Sequence, residues 1–276
     1  MLYRRYIPPP PLAAFVSCLW YSEGAQGTHA RERLLPTGES GIVFDLRESP
    51  RAHFRTNPDI DGIVEPATYA PVVFCGARTD SFLLDTSEQE RVIGIQFRAG
   101  GAYPFLGMPA SEVANATYSL DDIWPRHSNL IREELLSSTN IDAMFSVLQR
   151  ALLARLKRAP FLHPAIAFGA ATLARPSNTL QVQNVVDRVG LSARHFKELF
   201  REQTGLTPKA FQRVRRFQQV LQALHNNSQE QGAALAATCG YYDQAHFIHD
   251  FKHFSGLTPS EYVAIATPHL NHVPLK

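Results

Sequence analysis

The sequence predicts an α+β protein. A small antiparallel sheet or barrel with helices comes first, followed by an all-α part of two helix-turn-helix units joined by a long helix. Three observations carry this. Short apolar segments separated by turn residues fill residues 1–120. From residue 121 onward, apolar residues recur at three- and four-residue steps. One stretch near the C-terminus occurs twice.

In the N-terminal part the apolar segments are Gly41 to Leu46, Val72 to Cys75, Phe82 to Asp85 and Val92 to Phe97. Ile93, Ile95 and Phe97 alternate with Gly94 and Gln96, the pattern of a strand half-buried on one face. Pro8 to Pro11 read as a stiff extended lead. The stretch FRAGGAYPFLGMPASEVAN leaves the last strand through Gly100-Gly101 and turns helical. That glycine pair lacks the spacing of a phosphate-binding loop and reads as a turn. His29 and His53 have no metal-ligand spacing and read as surface-loop residues. Asp121 and Asp122 read as the start of a helix, where acidic groups suit the dipole. No Ser/His/Asp or Cys/His set can be assembled, so the expectation is no enzyme, no cofactor and no metal.

Residues 121–160 read as a helical connector. Ile141, Met144, Phe145, Leu148, Leu152 and Leu156 form its apolar stripe, with Arg150, Arg155, Lys157 and Arg158 off it. The helix either packs on its own domain, the first reading, or forms a dimer seam. Pro160 and Pro164 interrupt it. The C-terminal domain is expected over residues 161–266, with a first helix over 165–173, a turn at Arg175 to Asn178 and a support helix over 182–189. The first helix-turn-helix unit then spans about 182–205 and the second about 230–254. A bridging helix over about 208–224 carries Phe211, Val214, Phe217, Val220, Leu221 and Leu224 on its apolar face. The tail, residues 267–276, has no core pattern and is expected to be flexible.

The duplicated stretch reads HFKELFREQTGLTPKAF from His195 and HFIHDFKHFSGLTPSEY from His246, a displacement of 51 positions (246 − 195). Phe196 and Phe200 in the first copy, and Phe247, Phe251 and Phe254 in the second, are the buried stripes of amphipathic helices. Ser192 and Asp243 occupy the N-cap positions, after turns containing Gly190 and Gly240. Thr207-Pro208 and Thr258-Pro259 each start a third helix, and Thr258 with Glu261 makes a capping box. The opposite face of the first copy carries Arg194, Lys197, Glu198 and Arg201; that of the second carries Ala245, Ile248, His249 and Lys252. Eight basic residues lie between Arg188 and Arg216, opposed by Glu198 and Glu202 alone. Charge by itself also describes a solvated helix face. On a helix-turn-helix repeated in register it becomes a footprint for the phosphates of duplex DNA.

These residues resemble the AraC/XylS class of bacterial transcriptional regulators. The resemblance is carried by Gly190-Leu191-Ser192, Phe196, Phe200, Gly205-Leu206-Thr207-Pro208, Ala234, Gly240-Tyr241, Phe247, Phe251-Lys252 and Gly256-Leu257-Thr258-Pro259. It implies two recognition helices entering successive major-groove segments. Base-contact candidates are then Ala193, Arg194, Lys197 and Glu198 in the first and Gln244, Ala245, Ile248 and His249 in the second. Phosphate-contact candidates are Ser192, Arg201, Arg213, Arg215, Arg216, Asp243, His246 and Lys252. The family commonly has a basic residue at the position of His249, so a histidine departs from the pattern. The implied partners are double-stranded DNA and RNA polymerase, with a small-molecule effector of unknown identity and a homodimer both open. The N-terminal half resembles the sensor half of some of these regulators through RLLPTGESGIVFDL, FCGARTDSFLLD and IGIQFRAGGAYPFLGMPASEVANATYSLDDIW. That implies a cupin-like β-barrel that binds an effector or mediates dimer or polymerase contacts. The histidine pattern of metal-binding cupins is absent.

Composition agrees with two domains. The chain has 276 residues, 45% of them hydrophobic, and a formal charge of +2. Cys18, Cys75 and Cys239 are an odd, scattered set that reads as reduced, buried thiols. The longest apolar stretch, near Ala165 to Ala174, is too short to span a membrane, and prolines follow the basic N-terminus where a signal peptide needs an apolar core. The expected location is the cytoplasm.

Overall fold

The computed structural model describes residues 2–24, 31–47, 70–86, 90–156, 161–175, 182–226, 232–265 and 269–275. Its N-terminal strands are β1 (Leu2–Tyr6), β2 (Val16–Glu23), β3 (Arg31–Leu34), β4 (Gly41–Asp45), β5 (Val72–Cys75), β6 (Phe82–Asp85) and β7 (Arg91–Phe97). There follow α1 (Tyr103–Leu106), β8 (Thr117–Ser119), α2 (Leu120–Ile123), α3 (His127–Leu136) and α4 (Ile141–Leu156). The C-terminal part consists of α5 (Pro164–Leu173), α6 (Val182–Val189), α7 (Ala193–Thr204), α8 (Pro208–His225), α9 (Ala233–Thr238), α10 (Gln244–Ser255), α11 (Pro259–Ala264) and β9 (His272–Leu275). His29, His53, Lys157, Arg158, Pro160 and the turn residues 176–178 lie outside the described residues.

Six strands form an antiparallel sheet in the order β1-β2-β7-β4-β5-β8, and β6-β3-β9 form a second. Among the described residues the sheets do not close into the expected cupin-like barrel. β3 and β6 pair with each other, and β3 also with β9, so β1 and β8 remain the unjoined ends of an open sheet. β7 forms where the pattern predicts but is buried on both faces rather than one, with Val92 and Gly94 covered as well. Ile93, Ile95 and Phe97 are buried in one core with Leu19, Tyr21, Ile42, Phe44 and Phe74. Helices α1 to α4 close that core through Phe105, Trp124, Leu135, Met144, Phe145, Leu148 and Leu152. Thus α4 packs on its own domain, with the Arg155 guanidinium 4.1 Å above the Trp124 ring. Asp121 sits in the first turn of α2, as its position predicts, and accepts hydrogen bonds from Ser128 and Asn129.

The C-terminal helices enclose two further cores. One joins Ile166, Val185, Val186, Phe196, Phe200 and Phe211; the other joins Phe217, Leu221, Leu235, Phe247, Phe251, Phe254 and Tyr262. Each also takes in an N-terminal side chain, Ala77 in the first and Leu35 in the second.

Within the tail expected to be flexible, residues 272–275 form a strand. β9 pairs with β3 from Arg31↔Leu275 to Leu34↔His272, and Val273 is buried in the second C-terminal core. The His272 ring reaches Glu32 at 2.7 Å, and the Leu35 amide donates to the Asn271 carbonyl at 2.9 Å. A four-residue segment has too little periodicity to announce itself. Its partner strand, some 240 positions away in sequence, gives it a place.

Candidate nucleic-acid interface

Both recognition helices are built the same way. Gly190 and Gly240 end the preceding helices at φ of +70° and +77°, a region glycine enters without strain. The Ser192 hydroxyl then accepts the His195 amide at 3.2 Å, and the Asp243 carboxylate accepts the His246 amide at 2.7 Å. Phe196 and Phe200 pack against Phe211, while Phe247, Phe251 and Phe254 surround Phe217. Thr207 and Thr258 cap the following helices, the latter in the expected capping box with Glu261.

A further pair escaped the sequence reading. The Thr204 hydroxyl donates to the Phe200 carbonyl at 2.8 Å and accepts the Leu206 amide at 3.3 Å. Ser255 does the same with Phe251 at 2.7 Å and Leu257 at 3.1 Å. Each hydroxyl locks the turn that leaves a recognition helix. The available signal was a hydroxyl residue just before Gly-Leu-Thr-Pro in both copies.

The N-terminal halves of α7 and α10 are open. Arg194, Lys197, Glu198 and Arg201 are exposed on α7, with Ala193 half-buried. Arg194 Nε donates to Glu198 Oε1 at 2.9 Å, which holds the guanidinium pKa above its ordinary value. On α10, Gln244, Ala245, Ile248, His249 and Lys252 are exposed. His246 is also exposed, its ring edge-on to Tyr241 at 5.3 Å. The base-contact candidates thus fall on two free helix faces. Ser192 and Asp243 use their side-chain oxygens as caps beneath those faces.

The arginines of α8 stand elsewhere. Arg213 donates to the buried Asp250 carboxylate through Nε at 2.9 Å and Nη2 at 2.7 Å, tying α8 to α10. Arg215 Nη1 donates to the Thr37 carbonyl at 3.2 Å and lies 3.5 Å from Glu39, in the N-terminal part. Arg216 lies 5.1 Å above the Tyr241 ring. Burial, and secondarily the Asp250 charge, push the Tyr241 hydroxyl far above its ordinary pKa. These three were expected on phosphates. In the free chain each of the three has a partner within the protein.

The N-terminal part also holds the far ends of both recognition helices. Arg33 of β3 donates to the Ser255 carbonyl at 2.7 Å, at the C-terminus of α10. At the end of α7, Tyr103 donates to Glu202 at 3.0 Å, beside the His163 amide of the C-terminal domain, which donates to Gln203 at 2.9 Å. Between these grips, Gln218 of α8 donates to Pro36 O and Asn271 Oδ1, both at 2.8 Å.

A cavity of about 780 Å³ lies between the two sheets and reaches α8. The large sheet contributes Cys18, Trp20, Val43, Val73 and Gln96; β3, β6 and the loop after β3 contribute Leu34, Phe82, Leu84 and Glu39; α8 contributes Arg215, Gln218 and Gln222. Burial raises the Glu39 pKa, against the opposing influence of Arg215 and of the hydrogen bond from Gln96. Cys18, Cys75 and Cys239 are not joined to one another by disulfides. Among the described residues, no group of three His, Cys, Asp or Glu side chains could hold a metal ion. No described helix is long and apolar enough to cross a membrane.

Two family models match separate parts of the chain. Residues 185–264 match a family described as a helix-turn-helix domain, and residues 4–119 match a domain of unknown function, DUF6597. A protein of Haemophilus influenzae described as an uncharacterized HTH-type transcriptional regulator is 30% identical over 92 residues. That match covers 33% of this chain and only 30% of the relative's length. Among solved structures, the DNA-binding domain of AdpA in complex with a target DNA is 25% identical, with a TM-score of 0.34, covering 37% of this chain and 90% of that one. An AraC-type DNA-binding domain protein from Chromobacterium violaceum is 22% identical, with a TM-score of 0.35, covering 38% and 96%. ToxT from Vibrio cholerae is 9% identical, with a TM-score of 0.47, covering 91% and 97%.

Proposed function

With residues 185–264 forming a helix-turn-helix domain of the AraC type, we propose that this chain is a one-component transcriptional regulator that reads duplex DNA through α7 and α10 and senses a small effector in its N-terminal part. One observation carries the reading: two similarly capped helices present open N-terminal halves. Arg194 and Lys197 suit guanine O6 and N7, Glu198 suits cytosine N4, and Gln244 suits adenine. Ala245 and Ile248 offer only methyl contact to thymine, and His249 adds a polar group. The Arg194–Glu198 pair is no obstacle, because an exposed ion pair contributes little and opens readily. Arg201 and Lys252 take phosphates.

Regulation runs through residues 33–39. That segment lines the cavity, accepts hydrogen bonds from α8 at Pro36 and Thr37, and ends α10 through Arg33. A ligand that moves it alters how the two recognition helices stand to one another. One chain carries both helices, so a dimer is not required. The cytoplasm is the matching location, and RNA polymerase the expected second partner.

Selection of random duplexes by the full chain tests the reading. The expected product is an asymmetric site with two unequal motifs roughly one helical turn, about 10 base pairs, apart. Salt-sensitive retention of all sequences alike, with no motif enriched, would overturn it.

A further inference from the structure

The cavity has a built interior. Trp20 and Gly94 are register partners on β2 and β7, and the indole lies flat over Gly94; a side chain at 94 would collide with the ring. No hydrogen bond of the indole N–H is found among the described residues. Trp20, Val43 and Val73 thus make a flat apolar floor on the sheet face that lines the cavity. Two residues along β7, roughly 7 Å away, Gln96 begins a polar end. Its amide donates to Glu39 at 3.3 Å, and Glu39 lies 3.5 Å from Arg215. Both contacts are long, so the carboxylate keeps acceptor capacity. Arg215 directs Nη1 to the Thr37 carbonyl at 3.2 Å and to Glu39 at 3.5 Å, and no hydrogen bond of its Nη2 is found among the described residues. An unfilled acceptor and an unfilled donor therefore stand side by side at the end of an aromatic floor.

We propose that the cavity binds a flat heteroaromatic molecule that stacks on Trp20 and presents an adjacent N–H donor and carbonyl acceptor to Glu39 and Arg215. The inference rests on the reading of this cavity as the effector site. A purely aliphatic ligand leaves the indole face unmatched and both polar groups unsatisfied. A simple aromatic carboxylate answers Arg215 but sets its charge against Glu39.

The test uses the full chain carrying Trp124→Phe, so that Trp20 is the sole tryptophan reporter. Quinolin-2(1H)-one, a two-ring lactam with the required edge, is titrated beside N-methylquinolin-2-one, naphthalene-2-carboxylate and decanoate. The lactam is expected to quench Trp20 saturably, with N-methylation weakening it roughly tenfold through the loss of one hydrogen bond to a charged group. Calorimetry on Glu39→Gln and Trp20→Leu is expected to show weaker lactam binding in each, with both proteins melting cooperatively as a check on folding. Tighter binding of decanoate or the naphthoate, equal binding of the two quinolinones, or no binding of the lactam overturns the proposed class. DNA affinity measured in parallel separates the two readings. Lactam binding without any change in DNA affinity supports the ligand class and sinks the effector role. A change in DNA affinity driven only by decanoate or the naphthoate keeps the effector role and sinks the class.

Discussion

The two helix-turn-helix units share a skeleton and differ in what holds it. In both, a capped helix buries phenylalanines against α8 and leaves through a hydroxyl-locked glycine turn. The first unit takes Ala77 into its core, has the end of α7 held by Tyr103, and has the half-buried Leu199 where the second has Asp250. The second buries that carboxylate, ties it to Arg213, and borrows Leu35, Val273 and the Arg33 cap from elsewhere in the chain. Its open face is also the less polar, with Ala245 and Ile248 where the first has Arg194 and Lys197. The comparison teaches that sequence repetition preserves the reader's shape while anchoring and readout diverge. We expect the first face to make more direct base contacts and the second to lean on apolar contact.

The largest expected effect tests the second unit's anchor. Arg213→Ala leaves the Asp250 carboxylate buried without its cation and should cost about 3 kcal/mol, the low end for a broken buried pair because Arg213 is itself partly exposed. Urea unfolding checks this, and a loss below 1 kcal/mol would show that the pair is no anchor. Next, Arg33→Ala removes a charged donor from the end of α10 and should cost about 2 kcal/mol. Hydrogen exchange should then rise in α10 and not in α7; equal rises in both would erase the distinction drawn between the units. On DNA, Arg194→Ala should weaken binding roughly tenfold at one base position, whereas Ile248→Ala should change affinity little and relax a thymine preference. Binding to a panel of single-base variants decides this, and a uniform loss on Arg194→Ala would move that residue from bases to phosphates.

The smallest effect concerns pH. Glu39 has a raised pKa in the folded chain, so its contribution to stability is full below the ordinary carboxylate value and is lost as pH rises through the folded value. Glu39→Gln should flatten that fall, read as the urea midpoint from acid to neutral pH. An unchanged slope would show that Glu39 is not the group responsible.

Much of the C-terminal domain was legible because its signals are local. The support helix over 182–189 and the strands over 72–75 and 82–85 fall where periodicity and turn residues put them. The caps at Ser192, Asp243, Thr207 and Thr258 follow from residue type and position alone. β2 was not legible: VSCLWYSE is covered on both faces, by the core and by the cavity, so it lacks the polar alternation that marks a strand with one face in water.

The sequence by itself determined the repeat, the helix boundaries and the open faces of α7 and α10, since each depends on residues within a few turns of one another. Tertiary structure decided whatever depends on a distant partner. It opened the barrel, made a strand of residues 272–275, enclosed the cavity, and turned Arg213 and Arg215 inward. The physical reason is that a cation's role follows from the nearest carboxylate, carbonyl or phosphate in space. For Arg215 the nearest acceptors lie 176 and 178 positions away, a pairing that no local pattern encodes.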